Sequence, residues 1–184
     1  MTLPMLRGAV GLLGALCLFG CASTAAPDLE LSLPDPDPGA AAVREIAAWG
    51  DSMTADADTV AGYPKYLAEL LERPVYNGGV VGEQSFAIYY RFLAATDCRS
   101  DLSIFWMGRN NYQALGDGTV MADIAAAVAN LRGQKHFLVV SICNGDIADE
   151  YVGAAHYRWL TALNDSLRTR YASNFVDIRD SLIA

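Results

Sequence analysis

The chain has 184 residues, 53% of them hydrophobic, and a formal charge of -8 at pH 7. That length holds one domain with a sizeable core and leaves no room for two. The acidic balance argues against phosphate-backbone recognition, which needs clustered Lys and Arg, so nucleic acid is not an expected partner.

In chain order, Arg7 precedes an apolar run from Ala9 to Gly20 that is too short to span a bilayer comfortably, and residues 1–21 read as an export signal. Leu18-Phe19-Gly20-Cys21 is similar to the lipobox of bacterial lipoproteins, in which the cysteine is lipidated and becomes the mature first residue. The resemblance implies lipidation at Cys21 and attachment to a membrane of the cell envelope, with plain secretion or a retained anchor as the alternative. Either outcome puts the site of action outside the cytoplasm. Residues 22–42, with Pro27, Pro34, Pro36 and Pro38 set among Ala and Asp, cannot build a core and form a tether.

Residues 43–184 make the domain. Its cysteines, Cys98 and Cys143, are expected as separate thiols at opposite edges of a sheet, although an oxidising compartment permits a disulfide. There is no metal-ligand spacing, and no cofactor is expected. Candidate strands are Glu45 to Trp49, Val75 to Asn77, Leu102 to Met107, Phe137 to Cys143 and Asn174 to Ile178. The third and fourth are apolar with little alternation, as strands buried on both faces are. Val120, Met121, Ile124, Val128 and Leu131 recur at helical spacing, as do Leu160, Leu163, Leu167 and Tyr171. Stretches 63–72 and 84–95 complete the alternation. Right-handed crossovers then give an α/β/α three-layer sandwich on a parallel five-stranded sheet.

In an open parallel sheet, ligands bind at the carboxyl ends of the strands. Gly50-Asp51-Ser52-Met53-Thr54 follows the first strand, Gly78-Gly79-Val80-Val81-Gly82-Glu83-Gln84-Ser85 the second, and Gly108-Arg109-Asn110-Asn111 the third. A serine hydroxyl at a sharp strand exit can attack a carbonyl. The oxyanion that forms needs fixed donors: the Ser52 N–H, the Gly82 N–H, which no side chain shields, and the Asn110 amide. Asp51, Arg109 and Asn111 flank the set as candidate pocket residues, with Asp51 expected to brace its loop by accepting backbone hydrogen bonds. Tyr89, Tyr90, Trp106 and Tyr112 are expected to pack in the core or loops rather than to wall a pocket.

With these residues in place the chain resembles the SGNH/GDSL hydrolases, serine esterases and lipases on a flavodoxin-like fold. "WGDSMT" is similar to the family's first block, "NGGVVGEQS" to its second and "WMGRNN" to its third. The resemblance covers roughly residues 43 to 180 and implies Ser52 as nucleophile, with Gly82 and Asn110 as oxyanion donors. It implies an ester substrate, of which acetylated envelope sugars, acyl thioesters and lipid esters are examples.

The family's last block is an Asp-x-x-His after the fifth strand, whose His takes the serine's proton. No Asp-x-x-His occurs in these 184 residues. The expectation is a chain cut short ahead of its base and its final helix, baring apolar sheet on one face of the first strand. A naturally base-less binding module for acylated glycans is the alternative. Of the two histidines, His136 starts the fourth strand at the far end from the crevice, and His156 is expected on a helix face, with a surrogate-base role as the minor reading. Asp146, Asp149 and Glu150 are expected to be solvated or capping.

Overall fold

In a computed structural model of the protein, residues 46–57, 60–95, 102–112, 116–132 and 136–182 are described. Five strands, β1 (Ile46–Gly50), β2 (Val75–Gly79), β3 (Leu102–Trp106), β4 (His136–Val140) and β5 (Phe175–Val176), lie in the order β2-β1-β3-β4-β5. Every pairing is parallel. Helices α1 (Tyr63–Leu71), α2 (Ser85–Ala94), α3 (Gly116–Ala129) and α4 (Ala155–Arg170) connect them, and the one-turn α5 (Arg179–Leu182) follows β5.

Strand alternation divides the apolar residues between two faces. Ala47, Trp49, Phe105 and Val139 point to one side, where Ile88 and Phe92 of α2, Val120 and Ile124 of α3, and Leu160, Leu163 and Leu167 of α4 bury them. Each fully buried side chain of this size contributes about 2 kcal/mol of transfer free energy, so this face dominates the stability. On the other side Ile104, Trp106, Val140 and Cys143 meet Tyr63 and Leu67 of α1 and Ile178 beside α5.

The expected three-layer fold is present, with three adjustments. β4 ends at Val140 rather than Cys143: two residues on, Asn164 of α4 takes the place of a strand partner, its Oδ1 accepting the Ile142 N–H at 2.8 Å and its Nδ2 donating to the Ile142 carbonyl at 2.9 Å. β5 is two residues long, since the chain turns at once into α5, where the Arg179 N–H donates to Ser141 Oγ at 2.9 Å. The apolar sheet face beside α1 and α5 is less bare than expected, for Ala48, Ile104, Trp106 and Val140 are buried, Ile46, Val75, Leu102 and Leu138 are half-buried, and Val176 at the edge is exposed. Cys143 is a buried free thiol, and Cys98 lies outside the described residues.

What this fold does for the candidate site is set its register. Gly50, the last residue of β1, pairs with Gly79 on one side and Trp106 on the other. Neighbouring strands lie about 4.8 Å apart. The three loops singled out in the sequence therefore leave the sheet at one level, side by side.

Candidate active site

Ser52 is exposed at the tip of the turn that follows β1. The turn is made by Asp51, whose carbonyl accepts the Thr54 and Ala55 N–H groups at 3.0 Å each and whose Oδ1 accepts the Met53 N–H at 2.9 Å. Asp51 is 1% exposed, so it is a brace inside the loop and not a pocket residue. Burial pushes its carboxyl above the ordinary carboxylate range, and the Met53 N–H and the Arg109 guanidinium pull it part of the way back. The turn also packs onto the β2 exit: a Cβ at Gly79 would lie 2.2 Å from the Ala55 nitrogen, closer than any side chain allows.

Past β2 the Val80 N–H donates to the Gly50 carbonyl at 3.1 Å, and the Glu83 N–H returns to the Val80 carbonyl at 3.4 Å. Gly82 sits at the third place of this four-residue turn with φ +79°, the type II position that wants glycine. Turn type decides which way the peptide N–H of Gly82 points, because type I and type II differ by a flip of that central peptide.

Asn110 joins the two loops. Its Nδ2 donates to the Glu83 carbonyl at 2.9 Å and to Asp51 Oδ2 at 3.3 Å. The three expected site residues thus lie on loops that one amide ties together, with Ser52 next to Asp51 and Gly82 next to Glu83.

The flanking residues take other work than expected. Asn111 is fully buried; its Oδ1 accepts the Ser85 N–H at 3.0 Å and its Nδ2 donates to Ser85 Oγ at 2.8 Å, while Ser85 Oγ donates to Asp123 Oδ2 at 2.6 Å. It therefore pins the third loop to α2 and α3 and does not face a substrate. Arg109 reaches away to the β4 exit, donating to the Cys143 carbonyl and, at 2.9 Å, to Glu150 Oε1.

Glu150 corrects a sequence expectation. Far from being solvated, it is 1% exposed, and besides Arg109 it accepts the Gly145 N–H with Oε2. His156 lies on the same cluster, with Nδ1 3.3 Å from Glu150 Oε1 and 3.5 Å from Asp149 Oδ2, and its ring stacks on Tyr112 at 3.9 Å. These contacts hold it as a packed helix-face residue, and among the described residues nothing donates to or accepts from the Ser52 hydroxyl. Tyr112 and Trp106 pack as expected, Trp106 edge-on to Tyr63, while Tyr90 is exposed. A separate cavity of about 380 Å³ lies along α4 and α5, lined by Asn164, Arg168, Asp177 and Arg179 among others, and shares no residue with the Ser52 set.

A scan against protein-family models finds no match, and neither does a search of curated proteins. Solved structures do match. The chain is similar to AlinE4, an esterase of the SGNH-hydrolase family, at 22% identity and TM-score 0.59, over 74% of this chain and 77% of that one. It is similar to the lipase/acylhydrolase from Enterococcus faecalis at 15% identity and TM-score 0.61, over 77% and 79% of the two chains. A third is the psychrotrophic esterase EstA from Pseudoalteromonas sp., solved inhibited by monoethylphosphonate, at 13% identity and TM-score 0.57 over 73% and 77%. At these identities the likeness establishes the fold: the chain has the three-layer architecture of the SGNH/GDSL esterases, as its three sequence blocks imply.

Proposed function

We propose that the domain is a serine ester hydrolase of the SGNH/GDSL type, exported and tethered to the envelope through Cys21. The carrying observation is Asn110, whose single amide bridges the loop of Ser52 and the loop of Gly82. In this reading the Ser52 hydroxyl attacks the ester carbonyl and forms an acyl-enzyme while the alcohol leaves. The N–H groups of Ser52 and Gly82 and the Asn110 amide receive the oxyanion, and water then releases the acid. Small acetyl or acyl esters are the substrate class, no cofactor takes part, and lipoprotein export rests on residues 1–21 alone.

The proton acceptor is the element the 184 residues do not supply at the Asp-x-x-His position. An unassisted serine hydroxyl is a weak nucleophile at neutral pH, so these 184 residues by themselves are expected to turn over slowly. The test is hydrolysis of p-nitrophenyl acetate by the chain and by Ser52→Ala, with imidazole titrated in as an external base. A rate that rises with imidazole more steeply in wild type than in Ser52→Ala supports the reading; superimposable curves overturn it. Substantial turnover without imidazole that disappears in His156→Ala would instead make His156 the base.

A base-less binding module is favoured by one observation, the seating of His156 against Glu150 and Tyr112. It predicts retention of acetylated glycans with no Ser52-dependent turnover.

A further inference from the structure

The Gly82 turn has a second fastening that its own loop does not provide. Arg91, two turns into α2, donates from Nε and from a terminal nitrogen to Glu83 Oε2 at 2.8 and 2.6 Å. The same terminal nitrogen lies 3.4 Å from the Gly50 carbonyl, and the guanidinium sits over the Trp49 ring at 5.9 Å from its centroid. The Gly50 carbonyl is the atom that also accepts the Val80 N–H. One guanidinium therefore grips both ends of the turn that carries Gly82: the residue just after it, and the β1 carbonyl from which it is hung. Asn110 holds the Glu83 carbonyl, so Glu83 is fixed at its backbone and at its side chain.

We infer that Arg91 is a positioning residue for the Gly82 oxyanion donor, a role that rests on the proposed esterase reading. Arg91 touches no reacting atom. It acts by holding Glu83 and Gly50 at the separation that keeps the intervening turn in its type II form and so keeps the Gly82 N–H in one direction. The pair is partly open to water, with side-chain exposures of 29% and 20%, and such pairs add little to global stability. The consequence is local: preorganisation of one donor, which is where oxyanion stabilisation has its effect. Lys replaces the grip only in part, since an ammonium keeps the charge on Glu83 but lacks the planar fork that meets a carboxylate and a carbonyl together.

The test compares the full chain with Arg91→Ala, Arg91→Lys, Gly82→Ala and the Arg91→Ala/Gly82→Ala double variant. In imidazole-assisted p-nitrophenyl acetate hydrolysis, Arg91→Ala is expected to lower kcat about 10-fold or more with KM little changed, because a displaced donor is lost only in the transition state. Arg91→Lys should recover part of that, and the double variant should be no worse than Gly82→Ala alone. Full additivity of the two losses, or an unchanged kcat in Arg91→Ala, overturns the inference. Amide hydrogen exchange decides independently of turnover. Faster exchange in Arg91→Ala at Glu83, whose N–H closes the turn on the Val80 carbonyl, with the thermal midpoint nearly unchanged, is the expected result; unchanged exchange there overturns the inference even if the chain hydrolyses nothing. Absence of any Ser52-dependent hydrolysis would fall on the esterase reading and leave the exchange result to judge the clamp.

Discussion

Arg109 and Glu150 form an ion pair at 2.9 Å across the exits of β3 and β4, with the Glu150 side chain 1% exposed. The two residues flank the candidate site without entering it. Arg109 adjoins Asn110, and Glu150 fixes the β4 loop through the Gly145 N–H and, by its carbonyl, through Asn144 Nδ2 at 3.1 Å. Removing Arg109, the partly exposed partner, leaves the buried Glu150 carboxylate without its cation, which costs about 3 kcal/mol or more. Arg109→Ala should therefore lower the unfolding free energy by about that amount, read by urea denaturation. A change below about 1 kcal/mol would show that the Gly145 N–H and His156 hold Glu150 without it and that the pair carries little.

Asn110→Ala separates the amide's two duties. The bond to the Glu83 carbonyl is worth about 1 kcal/mol of stability, whereas an oxyanion donor is worth about 100-fold or more in kcat. The expected variant is mildly destabilised and severely slowed in the imidazole-assisted assay. A variant equally destabilised but with full kcat would leave Asn110 as a loop brace only.

At Gly82 a Cβ would meet nothing within 4 Å, so any cost of Gly82→Ala comes from φ +79° and not from crowding. The expected destabilisation is about 1 kcal/mol, while kcat drops because the turn relaxes toward a form that redirects the donor. An unaltered Tm and kcat together would mean that alanine tolerates the turn and that the Gly82 N–H has no special direction.

Asp51 gives a pH dependence with a definite sign. Its folded pKa is raised, chiefly by burial, so the folded state holds the proton more tightly than the unfolded chain does. The stabilisation from protonation is complete below the unfolded value of 3.8 and is lost as pH rises through the folded value. Asp51→Asn has no such titration. The Tm of wild type minus that of Asp51→Asn should thus increase as pH falls from 7 toward 4, by differential scanning fluorimetry; a decrease would reverse the assigned shift.

The parts of the molecule legible in the sequence are those fixed by local pattern. The apolar runs of β3 and β4 and the helical spacing of Leu160, Leu163 and Leu167 announce their elements, and the positions of Ser52, Gly82 and Asn110 follow from being just past strands. What stayed hidden depends on partners far away in the chain. Glu150 sits in a polar stretch that reads as solvated, and nothing local reveals that Arg109, 41 residues earlier, draws it inside. Arg91 looks like an ordinary helix cation until the β1 carbonyl and Glu83 are folded up against it. Asn111 differs from Asn110 in nothing but phase, since consecutive residues of the short 3-10 turn Arg109–Asn111 face different ways. Asn164 did leave a signal: it falls between Leu163 and Leu167 on the buried stripe of α4, and a polar residue there asks for a backbone to bind.

That asparagine also governs how the sheet ends. By answering both the N–H and the carbonyl of Ile142, Asn164 supplies from a helix the pairing that a neighbouring strand supplies earlier in β4. The exit of β4 is thus held by a side chain, and Asn164→Leu, though well matched to its apolar neighbours, should leave both Ile142 groups unanswered and lower the unfolding free energy by about 2 kcal/mol, read by urea denaturation.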